Sequence, residues 1–568
     1  MRTVQANLFA ATTILLATTA ICLANPAWQT NGVAVVSAPD TQETPCIVSL
    51  GAQGVIAFWA DRRGGNFDVY AQKLNANGQP VWAAGGVIVC SAAYDQQFPA
   101  AVGDGEGGAI VVWQDGRLGD DGVDIYAQRL DSTGAALWQS NGVPVFAHTP
   151  GDLNPPIAFS HVVTADGAGG AIVAWRDNRT DLALGNTEIY AQKINASGVV
   201  QWPVNGVAIV AFGSGQTWTT RTPNIASDGA GGAVVLWQDG RNVANSGNDL
   251  YAQRIGAAGT VQWATNGVAV CNAAGEQGYA DMIEFPDGHT VMVWEDKRAG
   301  HYDIYAQRLD ASGAALWGAN GRLIVSVPYD QRTPRLGADG LGGIVVAWSD
   351  NRNQTSKPDI YAQKLDGSGV QQWAAHDAAV CTAVGWQGRV RLARGDAGAT
   401  IVTWTDNRGD PSNATYYYDI YAQMLDTQGS TQWEPNGTAV STAPGTQRLQ
   451  QTVPDGAGGA YVVWEDNRNS GDWDVYAQRM VPSPPLMTLE NIPGAQAVPD
   501  GSYVSLPPRV VTAVFDGSFY IEEQDRTAGM KVLWPQTVNE GDVVAVTGVV
   551  RASSERCIEA EAVVLQGP

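Results

Sequence analysis

Eight times in this 568-residue chain an aspartate stands two positions before an arginine and two positions after a tryptophan. The pairs are Asp61/Arg63, Asp115/Arg117, Asp177/Arg179, Asp239/Arg241, Asp296/Arg298, Asp350/Arg352, Asp406/Arg408 and Asp466/Arg468. A carboxylate beside a guanidinium is material for catalysis only where groups with different roles converge on one point. Here every pair sits in the same local word, Trp-x-Asp-x-Arg. That pattern points to a repeated structural task. The Asp caps a turn, and the Arg pairs with it or with the acid that opens the next strand, in a half-exposed contact that fixes a loop. No other constellation competes. His148, His161, His289, His301 and His376 lack metal-ligand spacing. The Asp-Gly-x-Gly-Gly turns at Asp104, Asp166, Asp228, Asp339 and Asp455 offer one acid among glycines, which makes a hairpin and falls short of a calcium loop. No nucleophile elbow, paired-cysteine cluster or phosphate loop occurs. The sequence assigns no catalytic residue, no metal and no cofactor.

The elements that position these residues are also repeated. A Tyr-Ala-Gln phrase follows each Trp-x-Asp-x-Arg word, opening at Asp68, Asp124, Glu188, Asp249, Asp303, Asp359, Asp419 and Asp474. A Gly turn and a second tryptophan come next, at Trp82, Trp138, Trp202, Trp263, Trp317, Trp373 and Trp433, spaced by 54 to 64 residues. Such a period means a repeat fold. In the second unit, Pro99–Asp104, the apolar Ala109–Asp115, the alternating Asp124–Leu130 and Val143–Phe146 read as four strands. The turns between them use Asp, Gly, Asn and Ser, and no helical period of useful length appears. Eight units of four antiparallel strands predict an all-β chain built on an eight-bladed β-propeller. The word WQTNGVAVV starts at Trp28, before the first unit, and the last unit lacks it. The N-terminal strand is therefore expected to complete the last blade and remove the open edge. Two four-bladed rings or an open stack are the alternatives. Sixteen of the twenty tryptophans occupy repeat positions. Each buries about 150–250 Å², at most ~4–6 kcal/mol, so packing alone explains their recurrence.

The repeat resembles those of secreted bacterial propeller proteins and, more distantly, the bacterial neuraminidase-repeat blade. The likeness rests on the Trp-ending strand, the Asp-Ile-Tyr strand and the turn LDSTGAALW with Asp131, Gly134 and Trp138, and it spans about residues 28 to 480. The turn departs from a strict Asp-box. The resemblance implies the fold. A sialidase-like hydrolase would further need an arginine cluster with a tyrosine nucleophile and its acid partner, and one arginine per blade in a local word is not such a cluster.

The first 24 residues carry Arg2, an apolar run from Leu8 to Leu23 and small residues before Ala24, the pattern of a secretory signal peptide cleaved after Ala24. Export to the periplasm, cell surface or medium follows as an expectation, with no membrane span left after cleavage. Of the remaining cysteines, Cys90, Cys271 and Cys381 occupy one repeat position and read as small buried residues, not disulfide partners. The net charge of -23 disfavours nucleic acid and anionic membranes. The propeller is read as residues 25–480, a Pro-rich linker as 481–489 and a tail as 490–568. The tail resembles an OB-fold domain through VVTAVFDGSFYIEEQDRTAGMKV and EGDVVAVTGVV. Eleven acids against five bases from Glu490 onward give the wrong sign for a phosphate groove, and Phe519, Tyr520 and Trp534 read as core.

Binding is expected where loops vary. The loops that precede the first strand of each unit, with Gln42, Gln96, Gln277, Gln331, Gln387 or Gln447, should share a face with those after Trp-x-Asp-x-Arg. Aromatics fall there as well: Tyr94, Trp218, Tyr279, Tyr329, Trp386, Tyr416, Tyr417 and Trp473. They suit sugars or peptide segments, or else cover apolar blade ends. The expectation is a monomeric, non-enzymatic binding or scaffold protein with a carbohydrate or protein ligand. The alternatives are a sialidase-like glycoside hydrolase and a nucleic-acid-binding accessory protein acting through the tail.

Overall fold

A computed structural model describes residues 24–119, 122–150, 156–179, 187–211, 220–353, 357–373, 377–410, 417–469, 471–482, 487–498, 503–515, 517–534, 537–552 and 556–565. The proposed signal segment, apart from Ala24, lies outside them. Two compact units separate, one of them Ala24–Pro482 and the other holding the C-terminal residues from Ser483 on.

The first unit is a closed ring of eight four-stranded blades. In blade 1 the order from the central channel outward is Gln42–Ser49, Val55–Asp61, Asp68–Leu74 and Val87–Cys90. Blades 2 to 7 repeat it, with inner strands that begin at Gln96, Ala158, Thr220, Gln277, Gln331 and Gln387. Blade 8 takes Gln447–Pro454, Ala460–Asp466 and Asp474–Pro482 from the C-terminal side and Val33–Val36 from the N-terminal side. Val33 pairs with Ala477, and Ala24–Pro26 pairs further along the same strand with Met480–Pro482. The inner strands of blades 8 and 1 are neighbours, so the ring closes as the Trp28 word foretold.

One blade shows why the words recur. Trp113 is fully buried and its Nε1 donates to Asp115 Oδ2 at 2.7 Å. Gly142 packs on that indole with φ 83°, and a Cβ there would lie 2.5 Å from the ring, so Asn-Gly-Val needs its glycine. The second tryptophan works between blades. Trp82 Nε1 donates to Ser132 O, Trp138 Nε1 to Ala196 O and Trp202 Nε1 to Ala257 O, each on the next blade. Trp28 makes the same bond to Ala76 O across the closure.

The Asp/Arg word is local, as expected, and of the two partners expected for the arginine the structure selects the Asp of its own word, with the arginine half-buried and the aspartate buried. Asp115 accepts from Arg117 N, Nε and Nη2 at 2.9, 2.7 and 2.6 Å, and its carboxylate is buried. The guanidinium lies 3.5 Å over Tyr126 and donates to Asn141 O. Arg179 repeats the arrangement. Its Nε and Nη2 hold Asp177 Oδ2 at 2.8 and 2.5 Å, and its Nη1 donates to Asn205 O at 2.9 Å. The side chain is only 21% exposed, because Tyr190 lies 3.8 Å below it and Phe146 of the preceding blade packs 4.5 Å away. Arg241 is 18% exposed for the same reason. It grips Asp239 through N, Nε and Nη2 at 2.8, 2.9 and 2.6 Å, lies 3.7 Å over Tyr251 and donates to Asn266 O at 2.8 Å. Arg63, Arg298, Arg352, Arg408 and Arg468 each pair with the Asp of their own word too. The acid that opens the next strand is partnered elsewhere: Asp124 with His148, Glu188 with Tyr190, Asp249 with Asn242, Asp359 with Asn353 and Asp474 with Asn469.

The Asp-Gly-x-Gly-Gly acids close the first hairpin and also pair with the base after Tyr-Ala-Gln, as in Asp104–Arg129 at 2.9 Å. Cys90, Cys271 and Cys381 are buried, and burial pushes their thiols up to about 12. The second-blade inner strand starts at Gln96, three residues before the expected Pro99. A bulge between Gln97 and Ala100, with Phe98 at φ 55°, carries the strand past a proline that cannot donate to the ladder.

In the second unit Tyr503–Phe515, Ser518–Glu522, Gly529–Leu533, Val543–Ala552 and Arg556–Leu565 form a closed five-stranded barrel. The third strand runs parallel to the fifth, and the fourth returns to the first, an OB-like order. Phe519 is in its core and Trp534 packs against that core. Pro482 still belongs to a propeller strand, and Met487–Thr488 pairs with Val504–Ser505, so strands occupy both ends of the Pro-rich stretch.

Candidate functional site

The site forms where the blades stop being copies. All eight inner strands shift register two residues after their start, and among the described residues seven of them carry a left-handed residue there. There Thr44, Phe98, Ser160, Tyr279, Thr333, Arg389 and Leu449 take φ between 46° and 56°. This conformation is costly for non-glycine residues and recurs at binding sites. The first residue past each bulge is again equivalent by register: Cys46, Ala100, Val162, Asn224, Asp281, Arg335, Arg391 and Gln451. Blades 1 to 3 place apolar groups there, and blades 4 to 8 place polar or charged ones.

A channel cavity of about 800 Å³ opens on the apolar side, lined by Phe98, His161 and Leu449 among others. Over blades 4 to 8 lie three adjoining pockets of about 230, 630 and 310 Å³. The first two share Tyr279 and Arg332, and the last two share Trp386 and Arg389. Of the aromatics expected on this face, Tyr279, Trp386 and Trp473 line these pockets. Tyr94, Tyr329 and Tyr417 are exposed but line none of the pockets described. Tyr94 packs beside Gly119, and Tyr418, not Tyr417, meets Trp386, at 5.6 Å edge-on. Trp218 and Tyr416 lie outside the described residues. The recurring glutamines are structural: Gln42 is buried and donates to the carbonyls of Ala38, Pro39 and Asp40.

Sequence reading overlooked the variable x of Trp-x-Asp-x-Arg. Glu295 accepts Thr333 N at 2.9 Å and grips Arg332 at 2.9 and 3.1 Å. Glu465 does the same with Thr44 N and Arg448 Nε, at 2.6 and 2.7 Å. Thr405 Oγ1 donates to Gln450 Oε1 at 2.8 Å. The residue at x thus ties the bulge of an adjacent blade, and its only signal was variation inside a fixed word. Arg332 lies 4.0 Å over Tyr302, and Arg448 lies 3.7 Å over Trp473.

Arg335, Arg389 and Arg391 differ from these. Arg335 Nη1 and Arg391 Nη1 donate to the neighbouring carbonyls of Pro334 and Val390. Burial, then Arg335, lowers the Arg391 guanidinium to about 10, and Asp281 opposes that shift. Burial raises the Asp281 carboxyl, against the pull of Arg335 and the Leu336 N–H that donates to it at 3.1 Å. Asp281 is the one carboxylate at its ring position, so that layer does not hold the two acids of a glycosidase. No group of three metal-ligating side chains occurs among the described residues, nor any helix long and apolar enough to cross a membrane.

His161 stands where Pro45, Pro99, Pro223 and Pro334 stand in other blades. Burial lowers its imidazole to about 4, partly offset by the backbone of Val112 and Phe98. Above pH ~6.5 neither folded nor unfolded chain is protonated there. Between pH ~6.5 and 4 only the unfolded chain takes the proton, so stability falls with pH, by up to about 3 kcal/mol from this ring. His161→Gln, matching Gln450 of blade 8, is expected to flatten the acid limb of a urea-stability profile. An unchanged limb would contradict the assignment. Asp68 and Asp419, raised to about 6 by burial and then by Asp61 and Asp406, act with the opposite sign, and the parent–variant difference removes their contribution.

No protein-family model and no curated protein matches the chain. Solved structures similar to it include a protein of unknown function from Dyadobacter fermentans, 10% identical, covering 81% of this chain and 99% of that one, TM-score 0.37. An α-L-arabinanase of Penicillium chrysogenum complexed with arabinobiose is 14% identical over 79% of this chain and 97% of that one, TM-score 0.29. A neuraminidase-like protein of A/flat-faced bat/Peru is 10% identical over 72% and 92%, TM-score 0.30. Similarity at this level assigns no function to the chain.

Proposed function

We propose that the chain is an exported, non-enzymatic binding protein that holds a carbohydrate on the loop face of its propeller. The observation that carries this reading is the line of Tyr279, Trp386 and Trp473 along adjoining pockets on blades 5 to 8. Aromatic rings beside polar side chains match the apolar faces and hydroxyl edges of sugars. Trp386 is prepared for this by Gly388, where a Cβ would lie 2.4 Å from the indole. The ring rests on bare strand backbone. The apolar N-terminal segment supports export.

The mature protein on a glycan and peptide array tests the reading. Binding to glycans is expected, with Trp386→Ala weakening it about tenfold, the loss of one well-packed aromatic contact. An array on which only peptides bind, or a Trp386→Ala protein that binds glycans like its parent, would overturn the reading.

A further inference from the structure

On the same face the charge has a sign opposite to that of the whole chain. The protein carries a net charge of -23, yet Arg332, Arg335, Arg389, Arg391 and Arg448 line the two larger adjoining pockets or their walls. Arg332 and Arg448 are neutralised by Glu295 and Glu465. Among the described residues no carboxylate lies within 4.0 Å of Arg335, Arg389 or Arg391.

The fold does not require these three. At the position of Arg389 other blades use Thr44, Phe98, Ser160, Tyr279, Thr333 and Leu449. At that of Arg335 and Arg391 they use Cys46, Ala100, Val162, Asn224, Asp281 and Gln451. Arg389 is exposed, in a left-handed conformation, on the wall common to two pockets. Arg335, Arg389 and Arg391 line one pocket; after burial, the charges of Arg335 and Arg389 lower the Arg391 guanidinium further, with Asp281 opposing. Acids stand toward both ends of the groove: Glu276 in the smallest pocket and Asp330 4.0 Å from Arg332 at one, and Glu43, which feels the charges of Glu465 and Arg448, at the other. Asp281, next to these arginines in the ring, is the one carboxylate of that layer; burial raises its carboxyl, and Arg335 and Arg391 pull it back down.

We propose that the groove over blades 6 to 8 binds a linear polysaccharide with oxyanion groups, carboxylate or sulfate, on successive units, with Arg335, Arg389 and Arg391 as the anion contacts and Trp386 and Trp473 as the sugar platforms. This rests on the carbohydrate reading above and specifies its ligand class. A polymer, and not a single small anion, fits because the cationic groups spread over two pockets that continue into one another through Trp386 and Arg389. Guanidinium forks meet carboxylate and sulfate oxygens in pairs, and stacking on the neighbouring indole sets the register.

The test uses the full mature chain and four probes: polygalacturonate, dextran sulfate, neutral dextran and single-stranded DNA, each titrated at low and high salt. The parent is expected to bind at least one of the two acidic polysaccharides, more weakly as salt rises. Arg389→Ala should weaken that binding about tenfold and reduce its salt dependence, since a charge-assisted hydrogen bond is lost. Arg394→Ala, an exposed arginine at the far end of the same strand, should change nothing. Thermal melting of Arg389→Ala should match the parent, which separates binding from folding. Binding of polygalacturonate alone or dextran sulfate alone supports the proposal and identifies the oxyanion. Equal binding of neutral dextran, with Arg389→Ala unaffected, overturns the proposal and leaves the carbohydrate reading standing. Arginine-dependent binding of DNA in place of the polysaccharides overturns it in favour of a phosphate polymer. No binding to any probe overturns the proposal, and the glycan array decides whether the carbohydrate reading falls with it.

Discussion

A chain that begins at Ser37 is expected to lose the cooperative fold of the propeller. Residues 24–36 supply the outer strand of blade 8 and the Trp28 link to blade 1. Their removal uncovers the sites of Trp28, Val35 and Val36, all buried, at roughly 2–3 kcal/mol for each large apolar side chain. It also takes Asn31 O from Arg468 Nη2 and Asn31 Oδ1 from Thr442 N, at 2.8 and 2.9 Å, and leaves Gln478 without Trp28 N. The strand Asp474–Pro482 becomes an open edge, a template for aggregation. The sum is comparable with the whole stability of a domain, about 5–15 kcal/mol. Size-exclusion chromatography and thermal melting should show oligomers or a lost transition. A synthetic Ala24–Val36 peptide should restore part of it. A monomer that melts within a few degrees of the parent would show that the ring does not depend on this closure.

Asp115→Ala is expected to cost about 3–5 kcal/mol, the range for breaking a buried ion pair from one side. It removes the acceptor of Trp113 Nε1 and of three donors on Arg117, and strands a largely buried guanidinium. Asp115→Asn keeps the shape but not the charge and should fall between. Adding Arg117→Met to Asp115→Ala should recover part of the loss, because removing both charges leaves no unpaired ion. Urea unfolding measures all three. Blade 2 lies outside the groove over blades 6 to 8, so glycan binding by the folded fraction should be unchanged. A stable Asp115→Ala protein that had lost binding would mean that the repeated word serves a ligand and not the blade.

The repeated parts of this molecule were legible residue by residue. Trp113, Asp115, Arg117 and Gly142 contact one another within a blade, and every blade must make the same contacts, so their identities and spacings recur. The Ala109–Asp115, Asp124–Leu130 and Val143–Phe146 strands coincide with the reading for the same reason. How deeply Arg179 and Arg241 are covered was not legible, because the tyrosine beneath each and the carbonyl beyond it come from strands that pair only in the folded blade. Nor was the bulge. A left-handed residue that can be Thr, Phe, Ser, Tyr, Arg or Leu leaves no trace in residue type, and the surrounding ring enforces the conformation.

Sequence by itself determined the eight blades, the strand that closes them and the local purpose of the Asp/Arg word, because those depend on contacts that repeat within and between identical units. It could also nominate Tyr94 and Trp386 on equal terms, as aromatics in equivalent loops. Only the tertiary structure set Trp386 beside Arg389 and Trp473 and left Tyr94 apart from them. The physical reason is that Arg335, Arg391 and Gln451 are about 55 to 60 residues apart and meet only when the ring closes around a common axis. Their convergence depends on how the wedges are arranged in space, and no single wedge carries that information.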